Sequence, residues 1–401
     1  MAKSHLFAIK PLNSLPVRCV ENGGEMVNAT KIIPYVLILI VGLTLTIVPV
    51  RADISSEVVE DRIRLAAKHL LKVQRSDGLF HYQYDFIRGG WRNRDNIVRQ
   101  TGAGFSLAEY FKATKNVEVK GAMIRALKAY ESLSIAFGPG LVVAAGRQLS
   151  KAKTGATALA LMTELFYFEA TRDPQFEDLR QGWFRALQAL HLKGRGFMKG
   201  PRNFEDSSYF NGEVWLALAH YARLFDTDDK AQEILEDVDA TFIERYTEEP
   251  HIGFFHWGAM ATVVRFEDTG AKRYLDFIRS QTMAFLDRLR PEVNPRSNAC
   301  YSVEGLSAAA TVIGRESHDD SGFRKRLLQR IEAEIRKSLS FQIMPGQNRL
   351  EFGDGRVLYS DDLKNFVGAF VDGLYRPQAR IDFTQHCLSA LLKYVALRKG
   401  N

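Results

Sequence analysis

Five stretches of this chain are apolar and rich in small residues around most of the helical circumference: GATALALMTELFYFEA (155–170), VWLALAHYARLF (214–225), WGAMATVV (257–264), GLSAAATVI (305–313) and CLSALLKYVAL (387–397). A helix without a wet face has to be enclosed by protein. The segment 95–114 joins this class less cleanly. Any fold for the chain must therefore build an inner layer out of helices alone.

A second class of helix supplies the outer layer. Ile63, Ala66, Leu70 and Val73 recur at three- and four-residue steps. So do Phe176, Leu179, Trp183, Leu187 and Leu190, and again Phe323, Leu327, Ile331, Ile335 and Leu339. Each stripe is backed by charged residues, the pattern of a helix with one buried face. These amphipathic segments, near 54–75, 117–135, 174–192, 229–246, 271–288 and 319–341, alternate with the enclosed ones and make six hairpins. An outer ring of helices around an inner ring buries that pattern. The expected fold is all-α, an (α/α)6 toroid of six helical hairpins.

The connections sort with the helices. Loops from inner to outer helices are short, such as TRDP (171–174) and DTDD (226–229). Loops from outer to inner helices are long and rich in Gly, aromatic and charged residues: 75–94, 137–153, 193–210 and 343–362. All the long loops must crowd one mouth of the ring, and long structured loops commonly carry binding residues. RLEFGDGRVLY (349–359) alternates around Asp354-Gly355 and predicts a small β-hairpin.

The inner helices begin at that mouth, and their polar residues cluster in the first turns. Asp95, Asn96, Arg99 and Gln100 head one; Tyr209, Asn211 and Glu213 another; His256 and Trp257 a third; Asn298, Tyr301 and Glu304 a fourth; Asp382, Gln385 and His386 the last. Each has a plain structural explanation. Acids in a first turn cap helices and favour the dipole, Asp95 and Arg99 can form an i,i+4 pair, and Trp257 and His386 can be core residues. Capping does not explain why five helices carry acids, amides, histidine and aromatics at the same end. Convergent polar groups in a concave pit define a candidate site.

Acids beside aromatic rings suit sugars. Carboxylates and amides bond hydroxyls, while Trp91, Trp257 and Tyr209 can stack on pyranose faces. Glycoside hydrolysis needs two carboxyl groups, one protonated and one a base or nucleophile. Glu213 and Glu304 are the first pair expected, with Asp95 in reserve. Arg99, Gln100, Asn211, Tyr209, Trp257, Tyr301, Gln385, His386 and Trp91 are expected to bind substrate. Proton abstraction beside a uronate carboxylate, as in a lyase or epimerase, would instead use His256 or Tyr301 as base and acid, with Arg99 neutralising the carboxylate. A glycan-binding scaffold without turnover is a third reading.

The phrases YFNGEVWLALAHYARLFD, GFFHWGAMA and DFTQHCLSALLKY, over about residues 55 to 399, give a chain that resembles the six-hairpin toroids of the glycosidase-like superfamily. More distantly it resembles the helical C-terminal domain of glucuronyl C5-epimerases. The resemblance implies a helical toroid and carbohydrate substrates; because the superfamily holds hydrolases, lyases and epimerases, it selects no reaction. A second toroid family, the terpenoid cyclases, is similar at QRSDGLF (74–80), which matches Q-x-x-D-G, and at DTDD (226–229), which matches D-x-D-D. The second string falls in a short turn at the far end from the proposed pit, where an N-cap is expected.

The first 52 residues differ. IIPYVLILIVGLTLTIVPV (32–50) has no charge, follows Lys31, and ends with Val50 and Ala52 placed as at a signal-peptidase site. The expectation is an N-terminal extension and export signal over 1–52 and a toroid domain over 53–401, periplasmic or secreted. An uncleaved 32–50 would anchor it to the inner membrane. Met26 is an alternative start. Without residues 1–52 the net charge falls from +7 to +4, a mild surplus that leans toward an anionic oligo- or polysaccharide partner and not toward nucleic acid. Cys300 and Cys387 lack zinc spacing; two free buried thiols are expected, with one bridge between them as the alternative. Glu205 and Asp206 are read as a solvated loop. No metal or cofactor is expected, since metalloprotease, phosphate-loop, nucleophile-elbow and dinucleotide motifs are absent from the sequence.

Overall fold

The structure, a computed structural model, describes residues 54–314, 321–352, 355–373 and 375–399. The expected extension and signal or anchor lie outside the described residues. No described helix is long and apolar enough to cross a membrane.

Twelve α-helices are present among the described residues. They are α1 (Ser56–Val73), α2 (Ile97–Thr114), α3 (Val117–Leu133), α4 (Thr154–Thr171), α5 (Glu177–Leu190), α6 (Ser208–Leu224), α7 (Asp229–Glu248), α8 (Ile252–Thr269), α9 (Lys272–Ala284), α10 (Cys300–Val312), α11 (Ser321–Ser340) and α12 (Ile381–Lys399). Even-numbered helices are the enclosed class. Each packs on the next even-numbered one, and α12 packs on α2, which closes the inner ring. Odd-numbered helices pack outside. The fold is the (α/α)6 toroid.

Burial follows the sequence pattern. In α4 every residue from Thr154 to Tyr167 is buried, whereas in α1 only one stripe, including Ile63, Leu70 and Val73, is. Asn96 caps α2, its Oδ1 accepting from the Val98 and Arg99 amides at 3.0 and 3.3 Å. The helix therefore starts at Ile97, and Asp95 stands before it. Asp228 caps α7 through the amides of Lys230 and Ala231, both at 3.1 Å, so DTDD is a helix-starting turn. Gln74 bonds the Gly78 and Ala122 carbonyls, and Asp77 the Leu79 amide. QRSDGLF is likewise spent on its own turn.

The long loops fold into strands at the mouth. Residues 371–373, 376–380, 83–85 and 90–91 form one four-stranded antiparallel sheet, with Gln83 opposite Arg380 and Tyr84 opposite Ala379. It ties the first and last hairpins together and delivers Arg380 to the start of α12. The expected hairpin pairs Arg349–Glu351 with Val357–Tyr359; residues 353 and 354 at its turn lie outside the described residues.

The two cysteines correct an expectation. Cys300 and Cys387 form a disulfide between the first turn of α10 and the second turn of α12, with Cα atoms 4.8 Å apart. Their separation of 87 residues in sequence concealed a proximity that only ring closure creates.

Candidate active site

A cavity of about 880 Å³ opens at the mouth, and residues at the start of all six inner helices line it. Arg99 of α2, Tyr209 and Glu213 of α6, His256 and Trp257 of α8, Tyr301 of α10 and Asp382, Gln385 and His386 of α12 are joined by Asp95, Lys153 and Asn298, which stand just before α2, α4 and α10. The leading ends converge because the short and long loops alternate between the two rims.

Two histidines on different helices face each other across 5.7 Å between ring centroids. Tyr301 lies 5.4 Å from His256 and 6.2 Å from His386 by the same measure, and Arg290 donates to its hydroxyl. Glu304, 1% exposed, meets the cavity through His386, whose Nδ1 is 2.8 Å from its Oε2. The two imidazoles are driven apart electrically. Burial pulls His256 well below the ordinary histidine range, and the charge on His386 adds to it. Burial also acts on His386, but the charge and hydrogen bond of Glu304 outweigh it and hold its pKa above the ordinary value. One imidazole is therefore neutral and its neighbour favours the proton. Burial raises Tyr301 and keeps its phenol protonated. His256 has no protein hydrogen-bond partner among the described residues, and its Nδ1 is buried. Gly305 gives it room, since a Cβ there would come within 2.8 Å of the His256 Cα.

Glu213 stands apart on α6. It is 5% exposed, Oε2 has no partner, and burial pushes its pKa up to about 8. The carboxyl rests over Gly155 in the first turn of α4, where any Cβ would overlap Oε2. At neutral pH Glu213 is a protonated acid. An acid at the head of a greasy helix is thus kept neutral by its surroundings.

Cations dominate the rim. Arg99, Lys151, Lys153, Arg290 and Arg380 line the cavity against Asp95, Glu213, Asp372 and Asp382. Burial also raises Asp372, partly offset by Arg380. Asp382 receives Arg380 at 2.5 and 2.8 Å and Arg99 at 3.0 Å. Arg99 is thus tied across the ring to α12 instead of to Asp95 four residues away.

Three residues expected to bind substrate are engaged elsewhere. Gln100 is fully buried and bonds the Phe80 amide and carbonyl and Asp95. Asn211 holds the Phe197 amide, Asp206 and the Tyr246 hydroxyl. Trp91, 46% exposed, lies in the edge strand of the four-stranded sheet, packs on His81, Tyr84 and Phe366, and does not line the cavity. Glu205 and Asp206 are paired with Lys199 and Arg245. Sequence reasoning did not find Arg290, Arg380, Asp372, Lys151 or Lys153. The only available signal was the position of Arg380 immediately before α12.

One donor atom from each of His256, Glu304 and His386 lies within 4.8 Å of the other two. Two imidazoles and a carboxylate are the donor set of a zinc-type ion. The same trio serves equally well as a proton relay.

No family model and no curated protein matches the chain in sequence. Solved structures do match in fold. The α-1,6-mannanase GH76A of Salegentibacter sp. HEL1_6 aligns with a TM-score of 0.63 at 10% identity, covering 84% of this chain and 99% of the mannanase. A D-mannose isomerase aligns at 0.60 and 12%, covering 86% and 98%. An unsaturated glucuronyl hydrolase specific for heparin aligns at 0.59 and 11%, covering 86% and 99%. At these identities the likeness establishes the (α/α)6 toroid fold alone.

Proposed function

We propose that the pit transfers a proton at the sugar carbon beside a carboxylate, as a polysaccharide lyase or uronate epimerase does, on an acidic glycan. The observation that carries this reading is the pair of facing histidines with opposite electrostatic fates, since groups driven apart in pKa are a signature of assigned acid and base roles. Neutral His256 takes the proton from carbon. Arg380 and Arg99, at the cavity wall, offset the charge that develops on the carboxylate. His386, charged through Glu304, and the Tyr301 phenol are the acids. In a lyase the new C=C bond expels the glycosidic oxygen, which receives the acid's proton; in an epimerase the proton returns to the opposite face of the carbon.

The excess of cationic side chains over ionised carboxylates supports an anionic ligand. The disulfide supports an oxidising compartment, in keeping with export through residues 32–50. Hydrolysis is the second reading, and Glu213 favours it, because a carboxylic acid whose pKa is pushed up to about 8 keeps its proton at neutral pH and is a ready general acid. Its expected partner Glu304 reaches the cavity only through His386. An inactive variant of the Salegentibacter mannanase has two consecutive aspartates replaced, whereas among the described residues no consecutive aspartates line this pit.

The test is incubation with a panel of polyuronates in deuterated water. Deuterium on a sugar carbon, or an unsaturated ultraviolet-absorbing end, is the expected product. New reducing ends without either would establish hydrolysis. Binding without any product would leave a scaffold.

A further inference from the structure

The disulfide lies inside the catalytic constellation. Cys300 opens α10 and directly precedes Tyr301; Glu304 follows one helical turn later. Cys387 directly follows His386 on α12. Both cysteines are buried, at 1% and 0% exposure. The same two helices are joined twice within one turn, covalently by the sulfurs and electrostatically by Glu304 and His386. Asn298, which lines the cavity, accepts from the Cys300 amide at 2.9 Å and places its Nδ2 3.2 Å from the Cys387 sulfur. No side chain of the preceding residue caps α10.

We propose that Cys300 and Cys387 are positioning residues, whose disulfide clamps the first turn of α10 to the second turn of α12 and so holds Glu304 on His386, making the oxidised protein the competent form. This rests on the reading of His386 as a catalytic acid. Reduction delivers two electrons and two protons and leaves two thiols in van der Waals contact, which moves the turns apart by roughly 1–2 Å. A bond of 2.8 Å does not survive such a shift. A displacement of about 1 Å in a catalytic group costs on the order of 100-fold in rate.

The groups that face His386 are Glu304 and Tyr301 from α10, His256 from α8, Arg99 from α2 and Asp382 from its own helix. Glu304 and Tyr301, both on α10, depend directly on the clamp, and Glu304 alone bonds the His386 ring. The experiment compares the oxidised protein with a Cys300→Ala/Cys387→Ala variant, and with wild type reduced by dithiothreitol in the folded state and then reoxidised. Three quantities are read: the NMR titration of His386, deuterium exchange into polyuronate, and Tm. The expected result is a His386 pKa that drops when the bond is absent, turnover down about 100-fold below Tm, and recovery of both on reoxidation. A lowered Tm with His386 titration and turnover unchanged would show that the bridge only stabilises the fold and would overturn the proposal. Should the variant fail to fold, the reduced wild type decides alone. Failure of the oxidised protein to exchange deuterium would instead count against the proposed reaction, while the His386 titration would still judge the clamp.

Discussion

Buried charge is handled in opposite ways in two regions of this toroid. Between the inner and outer rings, Asp239 is fully buried and accepts from Trp215 Nε1 at 2.7 Å, Arg265 at 2.8 and 3.0 Å, and the Tyr274 hydroxyl at 2.5 Å. Glu164, equally buried, takes Arg180 at 2.8 Å. At the mouth, Glu213 and His256 have comparable burial and no protein partner among the described residues. Leaving such groups unpaired costs about 1–3 kcal/mol each; single atoms elsewhere, such as His69 Nδ1 and Glu164 Oε2, are also unpartnered, but at the mouth the unpartnered groups face a cavity. The difference separates side chains that knit helices together from side chains whose bonding capacity is left for a ligand.

The sharpest way to break this contrast is His256→Asn. Its turnover on polyuronate should fall roughly 100- to 10,000-fold with Tm nearly unchanged; a large loss of Tm with intact turnover would make His256 a core residue. Arg265→Ala should do the reverse, removing the two guanidinium hydrogen bonds to buried Asp239, with Arg273 left 3.8 Å away, and costing about 3–5 kcal/mol of stability, read by urea unfolding. Equal stability losses at the two sites would erase the distinction.

Glu213→Gln tests the mouth through pH. The folded-state pKa of Glu213 is raised from 4.5 to about 8, so between those values the folded protein holds a proton that the unfolded chain releases. Stability therefore falls as pH rises through that window, by on the order of 5 kcal/mol in all. The glutamine variant should lose that slope and be the more stable protein at pH 8. An unaltered slope would mean that Glu213 is ionised. The smallest expected effect is that of a chelator: turnover should be unchanged by it, and a loss restored by zinc would make His256, Glu304 and His386 a metal centre.

The ring was legible because enclosure leaves a mark on every residue of a helix, as in α4, where no polar face survives. The mouth was legible because loop lengths alternate. Individual contacts were less so. Gln100 and Asn211 sit in the right turns, but position in a turn does not fix where a flexible amide reaches, and both reach back to their own loops. Glu304 and His386, 82 residues apart, meet only once α10 and α12 become neighbours, as do the two cysteines. Arg380 enters the site by strand register in a sheet of short strands that carries little sequence signal.

The central claim is that one pit holds a neutral imidazole beside a charged one. Titrating both side chains by NMR in the oxidised protein tests it most directly. The account predicts two separated steps, with His386 losing its proton above the ordinary histidine value of about 6.5 while His256 remains neutral throughout neutral pH. Overlapping titrations near the ordinary value, or the reverse order, would contradict it.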